Sequence, residues 1–386
     1  APLSVTKNGI LPQLDNAAKS NDGDNRKLVK EGDFVINSRS DRKGSSGIAL
    51  MDGSVSLINI VMEPKGINPT YTNYLLKSTA FVEEFYRMGH GIVADLWTTR
   101  YDEMKSIMVG IPPLSEQTAI ANFLDNKTAL IDKAVALKEK QIELLKERRQ
   151  ILIHRAVTRG LNPNVKLKDS GVEWIGKIPE HWDCIKFKYM IRTKARLGWK
   201  GLKADEYLDF SEYKFLSTPN IKNTEIDFDS AYHITEFRYN ESPEIMLQLG
   251  DVLLVKDGST LGISNLVKNL PSKCTVNSSI AVLRIFEQNI LFPEYLNYFL
   301  KSTTMQGKIE KMKGGMGVPH LFQSDINNFS IPIIPLSEQN EIILYIDTII
   351  NKIDTAISLK EKEIEKLKEY KSVLINDAVS GKIKVG

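Results

Sequence analysis

The chain has 386 residues and 42% hydrophobic residues, enough for two or three domains with cores of their own, and a net charge of +3 that neither demands nor excludes nucleic acid. The sequence contains no apolar run near the roughly 20 residues of a membrane span, and it begins without a basic or apolar leader, so no membrane or secreted protein is expected. Two cysteines, Cys184 and Cys274, lack the spacing of a disulfide framework or zinc site, which fits a reducing cytoplasm.

Residues 1–112 are predicted to form a first mixed α/β domain. Phe34–Ile36 is a short β-type run, and the polar loop 37–47 follows it. Val55–Val61 is a second strand candidate. A helix is predicted from Pro69 through Phe85, because apolar residues recur there at helical spacing.

Residues 113–160 are predicted to form one long helix, and this helix occurs twice. Shifted by 222 residues, it matches residues 335–386 without a gap, and both copies begin with the letters P-L-S-E-Q. The heads of the two helices, where each preceding domain should end, are marked by Ser115, Glu116, Gln117, Ser337, Glu338 and Gln339.

Residues 161–334 repeat the order of the first domain. Strand-like Val252–Val255 is followed by the polar loop 256–262, a second strand candidate at Ser279–Ile285 and a helix that begins at Pro293. The stretch that opens this segment has no counterpart in the first one, since Leu3 aligns best with Leu216. We therefore expect the first domain to lack part of its front.

The second long helix carries an imperfect coiled-coil seam, with apolar steps alternating between three and four residues and with Lys360 and Lys371 interrupting it. A helix of about 40 residues, roughly 60 Å long, needs a partner for its apolar face, and the other copy is the obvious one. The predicted fold is therefore α+β: two mixed α/β domains separated by two long helices packed as an antiparallel coiled coil, with a pseudo-two-fold internal repeat. The seam positions are Ile342, Ile346, Ile349, Ile353, Ala356, Ile364, Leu367, Leu374 and Ala378.

Catalytic motifs are weak throughout the sequence. Asn68–Tyr71 resembles a methyltransferase loop, but its repeat at Phe292–Tyr295 indicates a helix start. Gly171–Ile178 lacks the Ser or Thr with which a P-loop holds Mg²⁺. The five histidines show no metal spacing, so the chain is predicted not to be an enzyme and to hold no cofactor or metal.

The polar loops are the candidate DNA-binding sites. Arginine donates two hydrogen bonds to guanine, aspartate accepts from cytosine, and serine or threonine can serve bases or phosphates. The two loops differ in sequence while their flanks agree, as expected if each domain reads a different target. The candidates are Arg39, Ser40, Asp41, Arg42, Lys43, Ser45, His90, Lys194, Arg196, Lys200, Lys256, Asp257, Ser259, Thr260, His320 and Gln323.

The two P-L-S-E-Q heads, together with D-S-G-V-E-W-I-G-K-I-P-E-H-W at the front of the second segment, resemble the DNA specificity (S) subunit of type I restriction–modification enzymes. The resemblance spans nearly the whole chain. It implies two target recognition domains that each read half of a bipartite, asymmetric site, and paired helices that fix the gap. It also implies docking of two methyltransferase (M) subunits and, through them, of restriction translocase (R) subunits, with S-adenosylmethionine, Mg²⁺ and ATP on those partners.

Two other classes of function remain open from the sequence. One is a free-standing DNA methyltransferase or nuclease, which would act on DNA without a partner. The other is a coiled-coil scaffold that joins proteins and does not bind DNA. The expected location of the specificity subunit is the cytoplasm.

Overall fold

The computed structural model describes residues 1–14, 25–91, 97–196, 202, 206–287, 289–312 and 320–385. The chain divides into two compact units, Ala1–Gln141 with Ser358–Gly386 (unit 1) and Ile142–Ile357 (unit 2). This division follows contacts rather than the predicted domain boundaries at 112, 160 and 334, which stay a prediction. Among the described helices, none combines the length and apolarity that crossing a membrane requires.

Unit 1 contains short antiparallel strands. Strand β1 pairs with β2, β3 pairs with β6, and a three-stranded sheet has the order β5-β4-β7. The predicted strand at Phe34–Ile36 is confirmed as β4. The single strand predicted at Val55–Val61 is wrong, because a turn with exposed Leu57 and Ile58 divides it. The strands are β1 (Leu3–Thr6), β2 (Gly9–Pro12), β3 (Arg26–Val29), β4 (Phe34–Asn37), β5 (Ser46–Ile48), β6 (Gly53–Ser56) and β7 (Asn59–Met62).

The predicted helix of unit 1 is two helices, α1 (Pro69–Lys77) and α2 (Thr79–Arg87). Ser78 interrupts them with an extended backbone, and its hydroxyl accepts a hydrogen bond from the backbone N–H of Phe81, which caps α2. The start of α1 is as predicted: Asn68 caps it and Pro69 occupies its first position. A short helix, α3 (Tyr101–Met104), follows.

The first long helix, α4, runs from Leu114 to Arg159, as predicted to within a residue. Gly160 ends it with φ of +72°, a conformation that glycine adopts at little cost, and its N–H donates to the carbonyl of Ala156 at 3.1 Å.

Unit 2 is built around a four-stranded antiparallel sheet in the order β11-β17-β14-β15, beside a three-stranded sheet β13-β12-β16 in which β12 and β16 are parallel. The predicted strands at Val252–Val255 and Ser279–Ile285 are confirmed as β14 and β17. The strands are β8 (Leu167–Asp169), β9 (Lys177–Pro179), β10 (Asp183–Lys186), β11 (Ile191–Lys194), β12 (Tyr213–Leu216), β13 (Tyr232–His233), β14 (Val252–Val255), β15 (Ser264–Leu266), β16 (Lys273–Val276), β17 (Ile280–Ile285) and β18 (Ser330–Ile333).

The helices of unit 2 follow the order seen in unit 1. The helix predicted from Pro293 begins there, and a second helix follows it after Lys301 and Ser302. The helices are α5 (Glu236–Asn240), α6 (Pro293–Leu300), α7 (Thr303–Met312), α8 (Gln323–Asn327) and the second long helix, α9 (Leu336–Val379).

Each unit completes its core with one half of each long helix. In unit 1, Tyr71 of α1 packs with Ile120 and Leu124 of α4 and with Leu374 and Ala378 of α9. The core of unit 2 has the same construction. Tyr295 and Phe299 of α6 lie there with Val157 of α4 and with Ile342 and Ile346 of α9. Burial of this apolar surface is the main stabilisation that such helices receive.

Within each unit the two long helices pair in antiparallel fashion. In unit 1, Asp132 of α4 pairs with Lys371 of α9 at 2.6 Å, while Lys360 donates to Gln141 at 2.7 Å. In unit 2, Arg149 pairs with Asp354 at 2.6 Å. The two lysines that interrupt the seam therefore meet polar partners on the facing helix. The predicted fold class, with two sheet-bearing domains and two long helices, is confirmed.

Candidate nucleic-acid interface

In unit 1, two loops lie side by side at the end of β4. A backbone bridge joins Arg39 to Thr98, and the N–H of Thr99 donates to the carbonyl of Ser38 at 3.0 Å. The hydroxyl of buried Tyr86 supports the first loop by donating to the carbonyl of Asn37 at 2.7 Å, and burial raises the pKa of Tyr86 to about 12. The structure thus brings together two loops that are far apart in the chain.

The first of these loops presents its arginines outward. Arg39 is exposed and has no ion pair or side-chain hydrogen bond among the described residues. Arg42 is 67% exposed and lies 3.5 Å from the carboxylate of exposed Asp41. Ser40 is half-buried in the single helical turn that Arg39 precedes. Arginine on a rigid turn can donate two hydrogen bonds to a guanine edge or a phosphate.

Three other residues of unit 1 that were predicted to contact DNA already interact with other parts of the protein. Lys43 pairs with Glu83 at 2.6 Å, and His90 pairs with Glu103. Ser45 is a correction to the sequence prediction: it is 5% exposed because it lies where the chain enters β5, and its carbonyl accepts from Asn37. A buried hydroxyl cannot reach a base edge without local rearrangement.

A cavity of about 510 Å³ opens beside the paired loops and carries three cations, Lys27, Arg39 and Arg100. Lys27 donates to the carbonyl of Asn59 at 2.6 Å, whereas Arg100 is exposed. Neither Lys27 nor Arg100 is among the residues predicted from the sequence, and nothing in strand β3 links Lys27 to a loop. The other lining residues are Ser38, Leu57, Ile58, Ile60, Val61, Thr98, Thr99 and Tyr101.

Unit 2 has the same pair of loops at the end of β14. A backbone bridge joins Asp257 to His320, and the N–H of Leu321 donates to the carbonyl of Lys256 at 2.8 Å. Asp257 therefore stands where Arg39 stands in unit 1, and His320 where Thr98 stands. Ser259 is exposed at the turn that follows, and Thr260 is half-buried.

The charged side chains of this second pair of loops bind one another. Lys256 is only 12% exposed and donates to the carboxylate of Asp257 at 3.3 Å. The same carboxylate accepts a hydrogen bond from the ring of His320. Lys256 and Asp257 were predicted to contact DNA directly, but in the fold their side chains bind each other.

The remaining predictions for unit 2 lie along β11 and its extension. Lys194 is half-buried at the end of the strand, and Gln323 donates to the carbonyl of Thr193 at 2.6 Å. Arg196 is a correction, because its side chain is 5% exposed, pairs with Glu241 at 3.3 Å and lies over the ring of Phe215. A guanidinium buried in this way faces its own unit rather than solvent. Lys200 lies outside the described residues.

The P-L-S-E-Q heads tie each domain to its long helix through the glutamine. Gln117 accepts from the backbone N–H of Asn68 at 2.8 Å and donates to the carbonyl of Pro112. Gln339 accepts from Phe292 at 2.9 Å and donates to Ile290 and Ile334.

The other residues of the two heads differ in their environment. Ser115, Glu116 and Ser337 are exposed. Glu338 accepts hydrogen bonds from Trp182 at 3.1 Å and from His181 at 3.0 Å. In this way the head of α9 contacts the front segment of unit 2.

Comparisons with known proteins point to one family. Residues 199–369 match the family model described as the type I restriction modification DNA specificity domain. The chain is 24% identical over 342 residues to the type I restriction enzyme MjaVIII specificity subunit of Methanocaldococcus jannaschii, with 86% of this chain and 74% of that protein covered. It is 26% identical over 277 residues to the EcoBI specificity subunit of Escherichia coli, with 66% and 55% covered.

Solved structures agree in fold. A chain from a study of complex assembly and conformational transition in the type I R-M system has a TM-score of 0.70 at 15% identity, covering 92% of this chain and 84% of that one. The HsdS subunit of Thermoanaerobacter tengcongensis has a TM-score of 0.54 at 16% identity, covering 92% and 83%.

The fold and the matches point to one class of protein, the specificity subunits of restriction–modification systems. Residues 199–369 match the DNA specificity domain of that class, and the chain as a whole is similar to specificity subunits of type I restriction enzymes.

Proposed function

We propose that this specificity subunit reads a bipartite, asymmetric DNA site, with one recognition domain on each half-site and the two long helices fixing the gap. One observation carries the proposal. The same backbone bridge joins the same two loops in both units, but it holds Arg39 beside Thr98 in unit 1 and Asp257 beside His320 in unit 2. A constant scaffold with different side chains is what two readers of different sequences require.

The two recognition domains combine phosphate and base contacts. Lysine and arginine supply salt-dependent affinity for the backbone, and side chains that reach base edges supply choice. In unit 1 the exposed Arg39 and Arg42 can serve both purposes. In unit 2 fewer of the candidate residues are exposed, and Ser259 is the exposed residue of the polar loop 256–262 among those candidates. Two modest contacts on one chain gain affinity from effective concentration only when the half-site spacing fits.

The proposal includes a scaffold for two methyltransferase subunits, with restriction translocase subunits bound through them. In this arrangement S-adenosylmethionine, Mg²⁺ and ATP are bound by those partners. If the purified chain methylated or cut DNA without any partner, this division of labour would be wrong.

A pair of substitutions tests the assignment of one half-site to each unit. Arg39→Ala should reduce discrimination at one half-site by about 1–3 kcal/mol, because a bidentate guanine contact has that magnitude. Lys256→Ala should affect only the other half-site, because it removes the ion pair that holds the carboxylate of Asp257 in the second pair of loops. Sequencing of methylated adenines in cells that carry the complete system gives the readout, and exposed Lys65, which pairs with Glu63, provides the control substitution Lys65→Ala. Equal loss at both half-sites would contradict the assignment.

A matched deletion tests the spacing role of the helices. Removing one heptad from each helix, Lys138–Leu144 with Ser358–Ile364, keeps the antiparallel pairing in phase. It shortens each helix by about 10 Å, which corresponds to about three base pairs of DNA. The permitted gap should change while both half-site sequences stay the same. A methylation pattern with the original gap would exclude the helices as the spacer.

A further inference from the structure

The carboxylate of Asp257 is occupied by the protein itself. Its Oδ2 accepts from Nζ of Lys256 at 3.3 Å, and its Oδ1 accepts from Nδ1 of His320. The side chain of Asp257 is 21% exposed. A carboxylate that already holds a donor on each oxygen is poorly placed to accept another from a base, so the role of Asp257 lies in what it does to its neighbours.

His320 is held rigidly by contacts from both loops. The backbone bridge to Asp257 fixes its main chain, and the ring of Phe322 packs edge-on against its imidazole at 4.5 Å between centroids. Because a carboxylate can only accept, the neutral imidazole must carry its proton on Nδ1. Its Nε2 then has a free lone pair, and no partner for Nε2 is found among the described residues. The side chain is 34% exposed, so this acceptor can be reached from outside.

We propose that His320 is a specificity-determining residue of the second recognition domain, which reads an exocyclic amino group, adenine N6 or cytosine N4, through Nε2. Asp257 is its positioning residue, since it fixes the tautomer that makes Nε2 an acceptor. Both groups are the donors that the major groove offers. This inference rests on the proposed function of unit 2 as the reader of one half-site.

The equivalent bridge of unit 1 carries the opposite chemistry, on its other loop. There Arg39 stands at the position of Asp257 and Thr98 at the position of His320, and the guanidinium of Arg39 can only donate, which suits the acceptors O6 and N7 of guanine. The same scaffold thus presents a donor in one unit and an acceptor in the other.

The experiment uses the full chain assembled with its methyltransferase subunits and measures methylation rates on synthetic duplexes. Each adenine or cytosine of the second half-site, other than the adenine that accepts the methyl group, is replaced in turn by its analogue without the amino group, purine or pyrimidin-2-one. For wild type, one replacement should reduce the rate about tenfold, which corresponds to one base contact. For His320→Ala the same replacement should have no further effect. Whether the sensitive position holds adenine or cytosine identifies the source of the amino group.

Two further variants separate a reading role from a structural one. Asp257→Asn leaves the ring of His320 in place. The asparagine amide can donate to Nδ1 of His320, so the proton is no longer fixed on Nδ1. The tenfold loss of rate on removal of the amino group should therefore become smaller. His320→Gln offers a carbonyl acceptor and should restore part of that sensitivity. Melting temperatures of the variants measure any loss of folding.

The outcomes distinguish this inference from the proposed function. If His320→Ala remains as sensitive as wild type to every amino-group replacement, His320 does not read the half-site and the inference fails. If Arg39→Ala also leaves the first half-site unchanged, the loops are not the readers and the proposed function of both units fails. A response confined to the second half-site for His320 and to the first for Arg39 supports both.

Discussion

Tyr74 in unit 1 and Tyr298 in unit 2 stand at the same place in their units, and each donates its hydroxyl to an aspartate of a long helix, Asp125 and Asp347 respectively. The contacts between each domain and its helices are therefore repeated, while the loops at the ends of β4 and β14 differ in charge and in chemistry. The comparison teaches that this molecule repeats the contacts that attach each domain to its helices and varies the loops that are the candidate DNA-binding sites.

The front segment of unit 2 supplies a large part of its core. Among the described residues, Trp182 is the largest fully buried side chain, and it belongs to this segment. Its indole donates to Glu338, and Gly160 lies against its ring, with the position of an added Cβ 3.2 Å away. The core of unit 2 thus depends on this front segment.

The largest effect on stability is expected from removing the indole of Trp182. Trp182→Ala should destabilise unit 2 by about 3–5 kcal/mol, because it leaves a cavity and removes a partner of Glu338. Hydrogen exchange, read separately for amides of each unit, should show lost protection in unit 2. The control Phe85→Ala, in the core of unit 1, should give the reverse pattern. Equal loss in both units for either variant would show that the units do not unfold separately.

A smaller effect on stability is expected from two equivalent lysines, one in each unit, that are partly buried beside the helices. In unit 2, Lys301 lines a groove of about 740 Å³, where burial, and then the nearby Lys268 and Arg149, lower its pKa from 10.5 to about 8. In unit 1, burial and Lys371 lower the pKa of Lys77. The charged form of each lysine is therefore disfavoured in the folded state.

The sign of the pH dependence follows from those pKa values. Between about pH 8 and pH 10.5 the unfolded chain holds a proton on Lys301 that the folded chain has lost, so unit 2 should gain stability as the pH rises, by at most about 3 kcal/mol. Lys301→Met should abolish this gain, as measured by urea unfolding across that range. Lys77→Met is the matched substitution in unit 1. A gain that survives in Lys301→Met would mean that another group titrates.

The smallest effect is expected for the ion pairs between the long helices. Arg149–Asp354 in unit 2 corresponds to Lys371–Asp132 in unit 1, and both pairs measure 2.6 Å. Asp354→Asn and Asp132→Asn should each cost less than about 1 kcal/mol, because partly exposed pairs contribute little, and the cost should shrink in high salt. Thermal unfolding at two salt concentrations measures this. A cost of several kcal/mol would make these pairs a main support of the helices.

The long helices and their repeat could be predicted from sequence because their signals are local. P-L-S-E-Q marks each start, and the apolar seam of α9 predicts which face is buried: Ile342, Ile353 and Leu374 all lie inside. Strand β4 and the start of α1 could also be predicted from the sequence, since a short apolar run and an Asn-Pro cap are recognised from neighbouring residues. The break at Ser78 was missed, because its neighbours keep the helical spacing on both sides of it.

The candidate site could be predicted only as a set of loops. Sequence indicated that the stretches around Arg39 and Asp257 are polar and variable between the repeats, and these loops do lie at equivalent places. It could not show that Arg196 is buried against Phe215 or that Ser45 lies inside, because an arginine or serine in a polar stretch looks the same whether it faces solvent or a neighbouring element.

The sequence by itself determined the duplication, the two long helices and the resemblance to type I specificity subunits, since periodicity and repeated motifs survive without knowledge of contacts. Only the tertiary structure decided which of the candidate side chains remain exposed. The backbone bridges that join residue 39 to 98 and residue 257 to 320 connect positions about sixty residues apart. Such pairings depend on how sheets and loops close in space, and they left Arg39 outside while they turned Asp257 toward His320.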